Sequence, residues 1–419
     1  MSDAPGRLGA DTYDALDRQL AGADEDFARS YPGESGTRQP VHTVYVSADR
    51  YESGTARGWG KQAMDSFDRH AATPARLAAA TGLSPELALA VHARVLSKLA
   101  REPIEDLRID FEDGLGDHPD EDALAELAAQ RLAESMQRGQ APPFTGIRFK
   151  SLEARTRRRG VRTLDVFLGA LCQRYGSLPP GFVLTLPKVR SLEQATAMVA
   201  LCERLESVHD IGAGALRFEL QIETPQAVLG ADGTATLARM VHATAGRCVG
   251  LHYGTYDYSS SLGVAAGYQS LEHGAADHAK AVMQVAVAGT GVRLSDGSTN
   301  VVPAGSPGNI ASAWQLHARL VRRSLERGYY QGWDLHPNQL VTRYAATYAF
   351  FLDGLDVNAA RLGAYLAGAR SGVLDEPATA VALAGFLARG LDCGALDEDD
   401  VRDRTGVDRA ALDALYLRS

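Results

Sequence analysis

The sequence predicts a TIM barrel, a closed ring of parallel strands wrapped by helices. Three observations carry that expectation. From Val41 onward, short runs rich in Val, Ile, Leu and Phe alternate with amphipathic helical stretches, the pattern of strand–helix–strand crossovers. There are eight such runs, the number that closes the barrel. Polar and charged residues stand directly after them, where a barrel of this kind gathers its functional groups.

The runs, in order, are VHTVYVS from Val41, LRIDF from Leu107, GIRF from Gly146, FVLTL from Phe182, LRFELQI from Leu216, CVGLHY from Cys248, GVRL from Gly291 and YQGWDL from Tyr330. Between them, LSPELALAVHARVLSKL from Leu83, SLEQATAMVALCERLE from Ser191 and SAWQLHARLVRRSLERG from Ser312 repeat apolar residues at i, i+3, i+4 spacing and predict helices. A doubly wound open sheet would give similar local patterns, but it usually carries a glycine-rich dinucleotide turn after its first strand. Here that place holds ADRYESGTARGWGKQ, in which Lys61 is followed by Gln62 and the glycines are wrongly spaced for a phosphate loop. We read it as a plain flexible loop.

Residues 1–38 form an N-terminal extension, weakly helical and then loop-like. The barrel is expected over residues 39–355, and residues 356–419 read as a small helical tail in which Asp397 and Thr405 cap two short helices.

At 419 residues the chain can bury a large core, and its 45% hydrophobic and 23% charged residues are the balance of an ordinary soluble globular protein. A net charge of −9 argues against a nucleic-acid partner. Cys172, Cys202, Cys248 and Cys393 are far apart, form no C-x-x-C pair, and are expected to be reduced. The N-terminal residues carry no basic start followed by an apolar stretch, and no run is long enough to cross a membrane, so a cytoplasmic protein is expected.

The strand-end residues form an unusual set: Asp110, Glu112 and Asp113 after the second run, Arg148 and Lys150 at the third, Lys188 after the fourth, Glu223 after the fifth and Asp257 after the sixth. Adjacent strands lie about 4.8 Å apart, so Glu223 and Asp257 are placed to share one divalent cation, with water and substrate oxygens completing its shell. Solvated strand-end acids are the alternative. Arg148 offers a planar fork for a substrate carboxylate or an enolate oxygen, or an ion pair with the acids of the second strand. Asp110, Glu112 and Asp113 fit a supporting hydrogen-bond network, an acid or base, or plain loop acids. Lys188 should direct a cation at the same acids; crowded by carboxylates it stays protonated, which argues against a Schiff base. His336, ahead of Pro337, is either a base or a turn residue. No HExxH spacing is present, so no zinc site is expected. Arg155, Arg157, Arg158, Arg159 and Arg162 follow the third strand, either as a solvated face or as a binding site for the phosphates of coenzyme A or another anion.

Taken in order, these motifs resemble the citrate lyase β-subunit and HpcH/HpaI aldolase superfamily, which includes malyl-CoA lyase. The acidic motif after its second strand is similar to Asp110-Phe111-Glu112-Asp113, its R-x-N to Arg148-Phe149-Lys150, with Lys150 where that family has Asn, and its LPK to Leu186-Pro187-Lys188. Its IET looks like Ile222-Glu223-Thr224, its FGxxDLxxxLG like Tyr253 to Gly263, and its LHPxQ like Leu335-His336-Pro337-Asn338-Gln339. The resemblance spans about Val41 to Leu340.

What it implies is a TIM barrel with Mg²⁺ or Mn²⁺ at Glu223 and Asp257 and with Arg148 on the substrate. Lys150, Gly254, Thr255, Tyr256, His336, Arg158 and Arg159 are then expected to bind substrate or coenzyme A, and the chain to assemble as a homo-trimer or hexamer. The implied activity is carbon–carbon bond cleavage or formation on a 2-oxo or 3-hydroxy acid or its CoA thioester. A CoA-independent aldolase, a phosphoenolpyruvate-handling enzyme and a non-catalytic metabolite-binding barrel stay open beside it.

Overall fold

The computed structural model describes residues 8–368 and 376–417. The first seven residues of the expected extension, and residues 369–375 and 418–419 of the expected tail, lie outside the described residues.

All eight apolar runs form strands: β1 (His42–Ser47), β2 (Asp106–Asp110), β3 (Phe144–Arg148), β4 (Phe182–Leu186), β5 (Arg217–Ile222), β6 (Cys248–Tyr253), β7 (Arg293–Ser295) and β8 (Gly332–Asp334). They pair in parallel in the order β7-β6-β5-β4-β3-β2-β1-β8. A bridge from Ser295 to Gln331, just ahead of β8, closes the ring. The expected TIM barrel is the fold.

Side chains alternate along each strand. Val44, Leu107, Ile109, Ile147, Leu184 and Leu220 are fully buried in the apolar core. The intervening positions meet across the barrel, and here several are charged, Asp106, Arg108 and Glu219 among them, in place of the branched aliphatic residues that usually fill a barrel. Arg108 pairs through Nη2 with Glu219 at 3.0 Å and through Nη1 with Asp106. His252 Nε2 lies 3.0 Å from the Glu219 carboxylate, and Trp333 Nε1 donates to His252 Nδ1 at 3.1 Å. Buried charges persist only when paired in this way, and the layer forms a solid platform under the mouth.

Two local expectations are corrected. The segment after β1 is largely helical, not a flexible loop: a helix covers Thr55–His70 and buries Ala56, Gly60, Ala63 and Phe67 along one face. Gly60 serves packing, since a Cβ there would lie 2.7 Å from Pro103 Cγ and 2.9 Å from the Leu99 carbonyl. Thr405 does not cap a helix start. It ends the helix Glu398–Thr405, which stops at Gly406 in the left-handed region (φ 76°), and Asp408 caps the following helix Arg409–Tyr416 by accepting from Ala411 N at 2.9 Å. Asp397 does hold the N-cap position of the first of these two helices. The helix after β8 runs unbroken over Gln339–Leu366.

The N-terminal helix Ala10–Ser30 buries none of its residues. Among the described residues no helix is long and apolar enough to cross a membrane, and all four cysteines are unbridged.

Candidate active site

Asp110 and Arg148 are register partners on β2 and β3, so their side chains leave the barrel side by side. Arg148 donates from Nε to Asp110 Oδ1 at 2.7 Å and from Nη2 to Oδ2 at 2.5 Å. Asp110 also accepts from the backbone N–H groups of Glu112 (3.0 Å) and Gly114 (2.8 Å), which folds the DFEDG turn onto it. Nη1 of the same guanidinium makes only long contacts, 3.4 Å to Glu112 and 3.4 Å to Gln221. Both sequence readings of Arg148 therefore meet: one edge is fixed by an acid of the second strand, and the other is loosely held. Burial works against its charge, but Asp110 and Glu112 more than compensate and raise its pKa well above the usual arginine value.

A second knot surrounds Lys188. Its ammonium contacts Glu112, lies 2.8 Å from Asp113 and reaches Asp257 at 3.6 Å. Its backbone sits in the left-handed region (φ 51°), which a side-chain-bearing residue adopts at a cost. That conformation turns its N–H onto Glu223 Oε1 at 2.7 Å. Burial opposes the lysine charge, yet Glu112 and Asp113 raise its pKa, so it stays protonated as expected. Burial, aided by Asp113, raises the Glu112 carboxyl despite Arg148 and Lys188, whereas the bond from Lys188 outweighs burial and lowers Asp113.

Glu223 is 2% exposed. Burial first, then the charges of Glu112 and Asp257, push its carboxyl up to about 8. Gly254 makes room for it, because a Cβ there would lie 2.6 Å from Glu223 Oε2. The mouth thus collects the carboxyls of Asp110, Glu112, Asp113, Glu223 and Asp257 around two cations, Arg148 and Lys188. An all-oxygen donor set with surplus negative charge fits a hard divalent ion such as Mg²⁺ or Mn²⁺. Among the described residues no group of three or more His, Cys, Asp or Glu side chains forms a closed ligand set. Glu223 and Asp257 would therefore supply two ligands and leave the rest to water and substrate, the arrangement Mg²⁺ prefers.

The other expected site residues are placed less uniformly. Lys150 is buried and turned away from the mouth; its ammonium binds the Phe111 and Gly116 carbonyls (2.9 and 2.7 Å) and Glu121 (2.7 Å). Thr255 donates to the Ser298 carbonyl at 3.2 Å, and the Tyr256 hydroxyl accepts from Asn300 N at 2.5 Å. These two fasten the loop carrying Asp257. His336 accepts from Asn338 N at 3.1 Å, and burial lowers its pKa, the behaviour of a neutral turn residue. Arg159 and Arg162 pair with Asp122 across to the neighbouring helix. Arg155, Arg157 and Arg158 are exposed. Arg157 and Arg190 border a cleft of about 660 Å³ against Leu152, Val161 and Leu201, on the side where β3 and β4 end. Lys61 instead borders a cleft with Pro103 and Pro143, at the opposite end of the strands.

Tyr45 and Gln221 were not singled out by the sequence. The Tyr45 ring centroid is 4.7 Å from the Arg148 guanidinium, and its hydroxyl accepts from Gln221 Nε2 at 3.2 Å. Strand alternation could have found both: Gln221 is two residues before Glu223 on β5, and Tyr45 lies between the core residues Val44 and Val46 on β1.

A family model described as a domain of unknown function, DUF6986, matches residues 20–418, and the chain belongs to that family. No curated protein matches it. Among solved structures it is similar to malate synthase from Haloferax volcanii in a lead(II) complex, with 14% identity, a TM-score of 0.50 and coverage of 90% of this chain and 98% of the other. It is also similar to the protein CitE from Mycobacterium tuberculosis in complex with magnesium, acetoacetate and coenzyme A (15% identity, TM-score 0.48, coverage 86% and 99%). An HpcH/HpaI aldolase/citrate lyase family protein from Burkholderia cenocepacia follows at 14% identity and TM-score 0.41, with coverage 77% and 95%. The likeness is one of fold.

Proposed function

We propose that this protein is a divalent-metal-dependent carbon–carbon lyase, cleaving or forming the bond next to a carboxylate or thioester through an enolate. The observation that carries this reading is the buried Glu223 carboxyl, held beside Asp257 and Glu112 at the mouth it shares with the half-engaged fork of Arg148. The Haloferax malate synthase, similar in fold, was solved with a divalent metal ion, which is in keeping with it.

A cation bound by Glu223 and Asp257 would supply Lewis-acid stabilisation of the developing enolate oxygen. The chain's own residues do the rest. Arg148 holds the substrate carboxylate through Nη1 while Asp110 fixes the guanidinium plane, so the fork does not reorganise as charge develops. Tyr45 supports that plane from below. In the cleavage direction the substrate hydroxyl gives its proton to a carboxylate of the cluster, and Glu112, made more basic by burial, is best suited to take it. Lys188 keeps Glu112 and Asp113 in place and, as a protonated amine, forms no Schiff base.

The test follows cleavage of 4-hydroxy-2-oxo acids and of malyl-type CoA thioesters with Mg²⁺ or Mn²⁺. Glu223→Gln and Asp257→Asn should abolish turnover and ion binding with the circular-dichroism spectrum unchanged. Arg148→Lys should lower kcat/KM about a hundredfold despite keeping the charge. Full turnover in excess chelator would overturn the proposal.

A further inference from the structure

We propose that the floor of the barrel carries a second ligand site, for a small organic anion with a short apolar body, at the opposite end of the strands from the mouth. A cavity of about 1080 Å³ lies there, reached by the N-terminal ends of β3 to β7. Three arginines line it: Arg29, which pairs with Asp26 on its own helix, Arg217 on β5 and Arg293 on β7. Arg293 donates from Nη2 to the Thr37 carbonyl at 2.6 Å and to its hydroxyl, and Arg217 donates to the Gly246 carbonyl. Among the described residues neither Arg217 nor Arg293 has a carboxylate within ion-pair distance.

This sets them apart from the other arginines set into the fold. Arg108, Arg148, Arg247 and Arg343 each hold a carboxylate at 3.0 Å or less. Arg217 stands exposed at the rim, while Arg293 is half-buried, and a partly desolvated guanidinium without a paired carboxylate is costly unless an anion arrives to meet it. Burial accordingly pulls the Arg293 pKa down, the reverse of Arg108 and Arg148. One acid, Glu34, stands among the cavity's lining residues, and it is drawn towards Arg389 at 3.6 Å.

The rest of the wall selects for an apolar body: Phe144, Pro180, Phe182, Val241 and Val249. The cover is fixed in place, so the cavity is preformed. Residues 31–38 cross the floor as a strap whose Gly33 N–H donates to the Gly289 carbonyl at 2.8 Å. Arg38 anchors its far end on Glu105 at 2.7 Å. The C-terminal helices press on it from outside: Arg389 stacks on the Tyr416 ring at 4.8 Å and Leu417 lies against Gly36. The charged Arg108–Glu219–His252 layer separates this cavity from the mouth, so the two sites should fill independently.

The experiment is calorimetric titration of the full chain with butyrate and, separately, with inorganic phosphate, in wild type and in Arg148→Ala, which removes the anion clamp at the mouth. One-site saturable binding of at least one probe, equal in both proteins, is expected; butyrate alone marks a carboxylate site and phosphate alone a phosphate site. Arg293→Gln should weaken it roughly tenfold or more, the scale of one lost charge-assisted contact. Arg217→Gln, at an exposed position whose loss leaves the core untouched, should weaken it in the same direction and serves if Arg293→Gln does not fold. Absence of saturable binding by either probe up to about 10 mM, a very weak affinity, would overturn the proposal. So would binding that Arg148→Ala removes or that both floor variants retain.

Discussion

At the mouth, Glu223 holds a proton near neutral pH when no metal is bound, since burial and then Glu112 and Asp257 push its carboxyl up to about 8. In the unfolded chain it titrates near 4.3, roughly the free glutamate value. Between those two pH values the folded protein binds more protons than the unfolded one. The stability this contributes is therefore complete below the unfolded pKa and disappears as pH rises through the folded one. Glu223→Gln keeps the shape and removes the titration, so the variant should gain on wild type by on the order of 5 kcal/mol between about pH 4 and 9 in denaturant unfolding without metal. Parallel pH profiles would show that the carboxyl is already ionised. The acids and Arg148 were legible in the sequence because they stand at strand ends, where a barrel gathers its chemistry. Lys150 stands at a strand end too, but Glu121 and two carbonyls behind the mouth claim its amine. A strand-end position locates a Cα, and only the partners decide where a long side chain goes.

Among the elements, the strands were readable because β-branched and aromatic runs stand out against amphipathic helices; even of the three-residue strands, β8 lies within its predicted run and β7 overlaps its own by two residues, Arg293 and Leu294. The helix Thr55–His70 was not, because Gly54, Gly58 and Gly60 read as loop signals while the burial of Ala56, Gly60, Ala63 and Phe67 depends on tertiary partners. The two glycines inside that helix separate these effects. At Gly58 an added Cβ meets nothing within 4 Å, whereas at Gly60 it would press on Pro103 and the Leu99 carbonyl. Gly58→Ala should stabilise the protein by about 0.5–1 kcal/mol through helix propensity alone. Gly60→Ala should instead destabilise it by about 1–3 kcal/mol, as overpacking against backbone does. Urea unfolding of the pair reads both signs; stabilisation by both alanines would mean that the helix does not pack as closely on Pro103 as described.

Over the whole molecule, charge is distributed against its own average. The chain carries a net −9, yet beside the mouth Arg155, Arg157 and Arg158 are exposed, and Arg157 and Arg190 border a cleft with an apolar wall of Leu152, Val161 and Leu201. A basic rim on an apolar cleft suits a phosphorylated carrier whose acyl end reaches the mouth, and it is this feature that separates a CoA thioester from a free acid as substrate. Arg190 already contacts Glu153, so Arg157 and Arg158 are the cations with least intramolecular competition for phosphate. Replacing both by Gln should weaken acetyl-CoA binding several-fold at low salt and less at high salt, because exposed charges are screened over about 8–10 Å. Ion binding at Glu223 and Asp257 should be untouched. A solvated helix face would instead leave acetyl-CoA affinity within about 0.5 kcal/mol of wild type. Titration of acetyl-CoA at two salt concentrations distinguishes these outcomes, and a wild type that does not bind acetyl-CoA at all would make the substrate a free 2-oxo or 3-hydroxy acid held by Arg148 alone.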